Sequence, residues 1–169
     1  PLIDLYQKTE KIIGVNKITI GSGIRYDMFV NKNPETDKKY GLSKYSNLLI
    51  SRHVSGRLKV APEHIADEVL VLMRKPSFNF FKAFYKQFRD TNLKNNSKQQ
   101  LVLYLIAGHP GSTDENNLKL ADRIKQMGFL AESIQEFTPT PMTLSTTMYY
   151  TGINPLTNEN INSIKNITD

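Results

Sequence analysis

Cysteine is missing from all 169 residues. Disulfides, zinc–thiolate sites, cysteine nucleophiles and thiolate-held iron–sulfur clusters therefore have no ligands within this chain. Long apolar runs are missing too. No stretch approaches the length needed to span a bilayer, and no charged-then-apolar leader with a small-residue cleavage site opens the sequence. Neither a P-loop nor a GxSxG elbow occurs, and Gly21-Ser22-Gly23 lacks the later glycine of a dinucleotide fingerprint. These absences lead to the expectation of a cytoplasmic protein without membrane contact. The chain starts at Pro1-Leu2, and Leu2, Leu5, Tyr6, Ile12 and Ile13 read as a helix already under way, as in a segment of a longer protein.

What is present is enough for a packed core. Hydrophobic residues make up 39% and charged residues 22%, and the length fits one domain or a piece of a larger one. The formal charge of +6 comes from scattered lysines, with concentrations at Lys38, Lys39 and Lys44 and again at Lys94 and Lys98. Two readings of that excess stand, solvated faces or a basic groove for nucleic acid. The second needs cations clustered beside exposed aromatic rings.

Helix and strand signals alternate along the chain. Gly14 stops the opening helix, and the β-branched run Val15 to Ile20 predicts a strand that ends in Gly21-Ser22-Gly23. Asn31 to Gly41 reads as a polar loop. Tyr45, Leu48, Leu49 and Arg52 have helical spacing and lead to His53. Arg57 to Ala61 predicts the next strand, closed by Pro62. Ile65, Val69, Leu72 and Met73 share a helix face, and that helix ends near Lys75 because Pro76 disfavours α geometry before it. Phe81, Phe84, Tyr85 and Phe88 form a stripe that belongs in a core. Gln100 to Ala107 reads as a strand buried on both faces. Ser112 and Glu115 have capping-box spacing, so a helix through Leu118, Ala121 and Ile124 starts there and stops at Gly128. Glu132 to Phe137 is the last of four expected strands. This rhythm calls for right-handed crossovers and a parallel α/β sheet or barrel.

In parallel α/β folds, ligands bind where strands end. Four segments fall there, and the last is distinctive. From Phe137 to Gly152 the chain reads FTPTPMTLSTTMYYTG, in which Pro139 and Pro141 fix φ and bias the threonines before them towards extended geometry. A straight, rigid exit would leave the backbone of Thr138, Thr140 and Met142 free to line a site, although such runs also serve as plain structural stops. Elsewhere, Arg25 has a fork suited to a carboxylate, Glu63 an acceptor for a hydroxyl or ammonium, and Gly108 a bare backbone. Arg25 and Glu63 pairing with each other or with Asp27 explains them equally well. His64 and Glu68 stand four apart without a third metal ligand, which favours a solvated pair. His109, between Gly108 and Pro110, reads as a turn residue bonding backbone or as a general base.

Taken in order, IGSGIRYD, SGRLKVAPEHI, the LMRKP around Lys75, IAGHPGST and the run from Phe137 to Gly152 closely resemble YgiQ-type proteins of the radical S-adenosylmethionine superfamily. The resemblance spans residues 1–155 and leaves 156–169 as a tail. It implies an α/β fold that is part of a (β/α)6 partial TIM-like barrel, with this chain supplying strands three to six. It implies S-adenosylmethionine and a 4Fe–4S cluster as cofactors, the cluster's CxxxCxxC ligands lying outside this segment. Residue by residue, Arg25 resembles the arginine ending strand three and Glu63 the polar residue ending strand four. Lys75 resembles the basic residue that meets the cofactor carboxylate, and Gly108 the strand-five glycine near the adenine. Thr138, Pro139 and Thr140 resemble the strand-six backbone around the base. Ser112-Thr113 depart from the Glu or Gln often found after the strand-five turn, which puts contacts there in doubt.

The function so implied is part of the cofactor pocket and substrate wall of an enzyme that cleaves S-adenosylmethionine reductively. The segment alone is expected to be inactive. No residue of this chain is a metal ligand in that scheme, and the substrate is unspecified, RNA being one candidate. A non-catalytic RNA-binding or assembly module on a barrel scaffold is the alternative. Cutting a barrel before Val15 also predicts an open edge and self-association as a dimer.

Overall fold

The computed structural model describes residues 2–30, 33–129 and 134–163. Pro1, Asn31 and Lys32 of the expected loop, Glu132 and Ser133 of the expected last strand, and 164–169 of the tail lie outside the described residues. The fold is α/β, with a three-stranded sheet in the order β1-β2-β3, namely Arg57–Glu63, Gln100–Ala107 and Ile134–Glu136. β2 and β3 are parallel, with Leu105 opposite Ile134 and Ala107 opposite Glu136. β1 carries Pro62 without interruption, contrary to the stop expected there. As an outer strand of the sheet it tolerates a residue that lacks a ladder donor.

Contacts divide the chain into two compact units. The first comprises Pro1–Val60 and Asn79–Val102, the second Ala61–Phe78 and Leu103–Asp169. In the first, helices α1 (Leu2–Thr9), α2 (Tyr26–Val30) and α3 (Pro34–Tyr40) pack against α4 (Leu42–Leu48), which runs into a π-helical turn at Leu49–His53. The expected strand Val15 to Ile20 does not form. Ile20 N–H donates to the His53 carbonyl at 2.6 Å and Lys59 N–H donates to the Gly21 carbonyl at 2.7 Å. These single bonds pin the segment without making a ladder, so the edge expected from it is not built. The polar stretch read as a loop contains α3 instead. Asn33 caps it by accepting from Glu35 N–H at 2.9 Å, Pro34 occupies its start, and Gly41 ends it at φ 66°.

The phenylalanine stripe lies on α6 (Phe78–Lys94) and is core, as expected. Tyr26 meets Phe84 at 5.6 Å and stands edge-on to Phe81 at 5.9 Å between ring centroids. Phe29 lies 6.3 Å from Phe84, which in turn lies 6.2 Å from Phe88.

The second unit holds the ends of β1 and β2, helix α5 (Asp67–Leu72), helix α7 (Asp114–Gln126), β3 and helix α8 (Leu144–Thr151). Asp67 at the start of α5 accepts from Phe78 N–H at 3.0 Å and the Ser77 hydroxyl at 2.9 Å. β2 has the expected boundaries but not the expected double burial. Leu101, Leu103 and Leu105 are buried while Val102, Tyr104 and Ile106 are half-buried. The capping box of α7 is shifted by one residue from the expected Ser112 and Glu115. Thr113 Oγ1 accepts from Asn116 N–H at 3.1 Å, and Asn116 Oδ1 accepts from Thr113 N–H at 2.9 Å. Its inner face is Asn116, Leu120 and Ile124, whereas Leu118 and Ala121 face outwards. Among the described residues, no helix is long and apolar enough to cross a membrane.

Candidate functional site

A cleft of about 370 Å³ opens in the second unit where β1, β2 and β3 end. Glu63 closes β1 with φ 67°, a left-handed conformation that side chains rarely adopt and that costs about 1 kcal/mol or more. There Glu63 Oε1 accepts from Lys75 Nζ at 2.9 Å. The carboxylate side is mostly covered at 15% exposure and the lysine is open at 44%. Met73 and Ile106 supply apolar lining.

A further polar group of the cleft is His109, which is 3% exposed. Its Nδ1 faces the Pro110 carbonyl at 2.8 Å. A carbonyl only accepts, so Nδ1 carries the hydrogen. Burial lowers the His109 pKa, with the Pro110 bond opposing it, so the neutral ring predominates at pH 7. Nε2 then accepts the Ser145 hydroxyl at 2.8 Å. With its hydrogen committed, Ser145 Oγ can act towards the cleft only as an acceptor. Phe137 holds the imidazole edge-on at 5.2 Å and contacts Tyr149 at 5.8 Å.

The threonine-proline run supplies the remaining wall. Thr138, Thr140 and Thr143 line the cleft. The run is not straight throughout. It turns at Pro141 and Met142, the latter at φ 67°, and enters α8, whose first amides are capped by Thr143 Oγ1 accepting from Thr146 N–H at 3.2 Å. The Thr140 carbonyl, expected to be free, accepts from the Thr143 hydroxyl at 2.9 Å and the Thr146 hydroxyl at 2.6 Å.

Of the residues singled out from sequence, Glu63, Lys75, His109, Thr138 and Thr140 share this cleft. Pro139 and Gly108 are not among its lining residues. Gly108 adopts φ 71° and donates its N–H to Asn117 Oδ1 at 3.3 Å. Arg25 belongs to the first unit, where Nε and Nη2 donate to Asp27 at 2.9 and 2.6 Å. Ser145 and Thr143 escaped sequence reasoning. The signal was present in Thr143 and Gly152, which flank α8 as cap residues.

His64 and Glu68 are not a solvated pair. His64 is wholly buried, its Nδ1 accepts from Ala66 N–H at 3.0 Å, and its Nε2 reaches no partner of acceptable geometry although Asn117 lies beside it. Burial lowers its pKa, against the opposing pull of Asn117 and Glu68. Glu68 instead accepts from Asn116 Nδ2 at 2.9 Å. Among the described residues, no group of His, Cys, Asp and Glu is arranged to hold a metal ion.

Comparison with known proteins shows what the sequence is similar to. A UPF0313 protein of Bacteroides thetaiotaomicron is 45% identical over 165 residues, which is 98% of this chain and 27% of that protein. The chain is similar to a segment of UPF0313 proteins. A UPF0313 protein of Porphyromonas gingivalis is 48% identical over 93% of the chain, and one of Methanocella arvoryzae is 38% identical over 99% of it. The segment spans about a quarter of the length of these curated relatives. Residues 132–167 match the model of a domain of unknown function, DUF3362. No solved structure matches the chain.

Proposed function

We propose that this segment supplies part of the S-adenosylmethionine pocket and substrate wall of a radical enzyme. The observation that carries the reading is the shared cleft. Glu63, Lys75, Thr138 and Thr140, which the motif resemblance assigns to cofactor contact, lie far apart in sequence and line one cavity at the strand ends. An amino-acid zwitterion is the electrostatic complement of the Glu63–Lys75 pair. Its ammonium would take Glu63 and its carboxylate Lys75, opening a bridge that is only partly buried. The acceptor of Ser145 and the hydroxyls of Thr138 and Thr140 suit the donors and acceptors of a nucleoside, and Phe137 lines the same cleft. At about 370 Å³ the cleft is at the small end of ligand sites.

The residues present do not fit a 4Fe–4S cluster, because the chain has no thiolate to hold one. Binding and orienting the cofactor are the tasks left to Glu63, Lys75 and the threonines. Two experiments test the proposal. In the longer protein containing this segment, reconstituted anaerobically with iron and sulfide, a reductant should release 5′-deoxyadenosine from S-adenosylmethionine. Lys75→Ala and Glu63→Ala should each lower the yield at subsaturating cofactor by at least tenfold. The segment alone should bind no cluster and cleave nothing. A wild-type protein that loads a cluster but yields no 5′-deoxyadenosine would refute the assignment.

A further inference from the structure

The net charge of +6 conceals a strong segregation. The first unit carries sixteen Lys and Arg against six Asp and Glu, a net +10, whereas the second carries six against ten, a net −4. Every described Lys and Arg of the first unit is exposed. On α6, Lys82, Lys86 and Arg89 follow at i, i+4 and i+7, along the face opposite the buried Phe81, Phe84 and Phe88. That stripe is about 10 Å long at helical rise. Lys38 and Lys39 end α3, and Lys44 lies on α4, which packs against α3.

The cations also sit beside rings. Lys39 Nζ lies over the Tyr40 ring at 5.2 Å, and Tyr40 is 62% exposed. Arg89 lies over the Tyr85 ring at 5.7 Å. We propose that the first unit is a docking surface for single-stranded RNA, its lysines on phosphates and its exposed tyrosine and stacked arginine available to bases. Cations beside stackable rings are what sequence-tolerant single-strand binding uses. An anionic membrane is the less suited polyanion, because the charges are spread over α3, α4, α6 and β1 rather than along one interfacial helix.

The test is fluorescence anisotropy of a labelled twenty-nucleotide polyuridine with the full chain. Contact with about five phosphates gives a logarithmic salt slope near −3.5, so affinity should fall about a hundredfold between 50 and 200 mM salt. At 100 mM salt the Debye length is about 10 Å, so charges act locally. The triple reversal Lys82→Glu, Lys86→Glu, Arg89→Glu should weaken binding more than tenfold. The reversal Lys119→Glu, Arg123→Glu, Lys125→Glu on α7 changes net charge equally and should alter it less than threefold. If the α6 variant melts early, Lys38→Glu, Lys39→Glu, Lys44→Glu replaces it, with the same expected loss. Absence of binding at 50 mM salt, equal losses in the α6 and α7 variants, or tighter binding to phosphatidylserine vesicles than to RNA would each overturn the proposal.

Discussion

The two units differ in what their interiors are made of. The first packs Tyr26, Phe29, Phe81, Phe84 and Phe88 into its interior, with Ser46 and His53 also buried, and leaves its described cations outside. The second buries His64, His109, Ser112 and Asn116 at the ends of its strands and on α7. Burying a polar group is costly unless it is bonded. His109 shows what is gained. Its bond to the Pro110 carbonyl fixes the tautomer, and the tautomer fixes what Ser145 offers the cleft. The first unit behaves as a packed scaffold with a charged exterior, and the second as the bearer of a site.

The largest expected effect tests the scaffold half of that contrast. Phe84 is wholly buried among Tyr26, Phe29 and Phe88, so Phe84→Ala should cost about 3–5 kcal/mol in chemical denaturation. A loss below about 1 kcal/mol would mean that the aromatic cluster is not the core of its unit.

Acid should expose the buried polarity of the second unit. Burial holds the pKa values of His64 and His109 below the ordinary 6.5, so the unfolded chain binds more protons than the folded one as pH falls. Their full contribution is present above pH 6.5 and is lost as pH drops through that value towards the folded pKa values. Each group adds a slope of at most about 1.4 kcal/mol per pH unit in that window. Urea titrations between pH 7.5 and 5 measure it, and His64→Gln should flatten the profile. A stability that is level across this range would contradict the assigned burial.

Gly111 sharpens the contrast from the backbone side. It adopts φ 88°, and an added Cβ would lie 2.1 Å from Leu72 Cδ1. Gly111→Ala should cost about 1–3 kcal/mol, with Leu72 giving way to limit the loss.

The smallest effect separates two neighbouring residues. Thr113→Ala removes the cap of α7 and should cost about 1 kcal/mol. Ser112→Ala removes a buried hydroxyl with no hydrogen-bond partner and should be neutral or slightly stabilising. The reverse ranking would restore the cap at Ser112 that spacing alone suggested.

That one-residue shift shows where sequence reading ran out. The S-x-x-E and T-x-x-N frames overlap, and which residue turns inwards depends on packing, which buries Ser112 and Asn116 together. β2 was legible because a continuous apolar run has few alternatives. Val15 to Ile20 was misread because strand propensity says nothing about whether a partner strand lies alongside, and the segment meets His53 through the Ile18 carbonyl and the Ile20 amide without forming a ladder. α3 was missed although Asn33, Pro34 and Gly41 spelled out both ends, because polarity was taken as loop. For the site, strand-end logic and motif resemblance brought Glu63, Lys75, Thr138 and Thr140 forward. Ser145 stayed hidden because its importance comes from a bond to a histidine 36 residues away in the chain.

The central claim, that the second unit carries the cofactor site, is tested most directly by titrating the isotopically labelled chain with S-adenosylmethionine and following its amide resonances. Without a cluster to chelate the methionine end, binding should be millimolar, around 4 kcal/mol. The perturbed amides should fall within 61–78 and 103–163, and the response should vanish in Glu63→Gln, Lys75→Gln. Perturbations confined to the first unit, or binding that persists undiminished in the double variant, would contradict it.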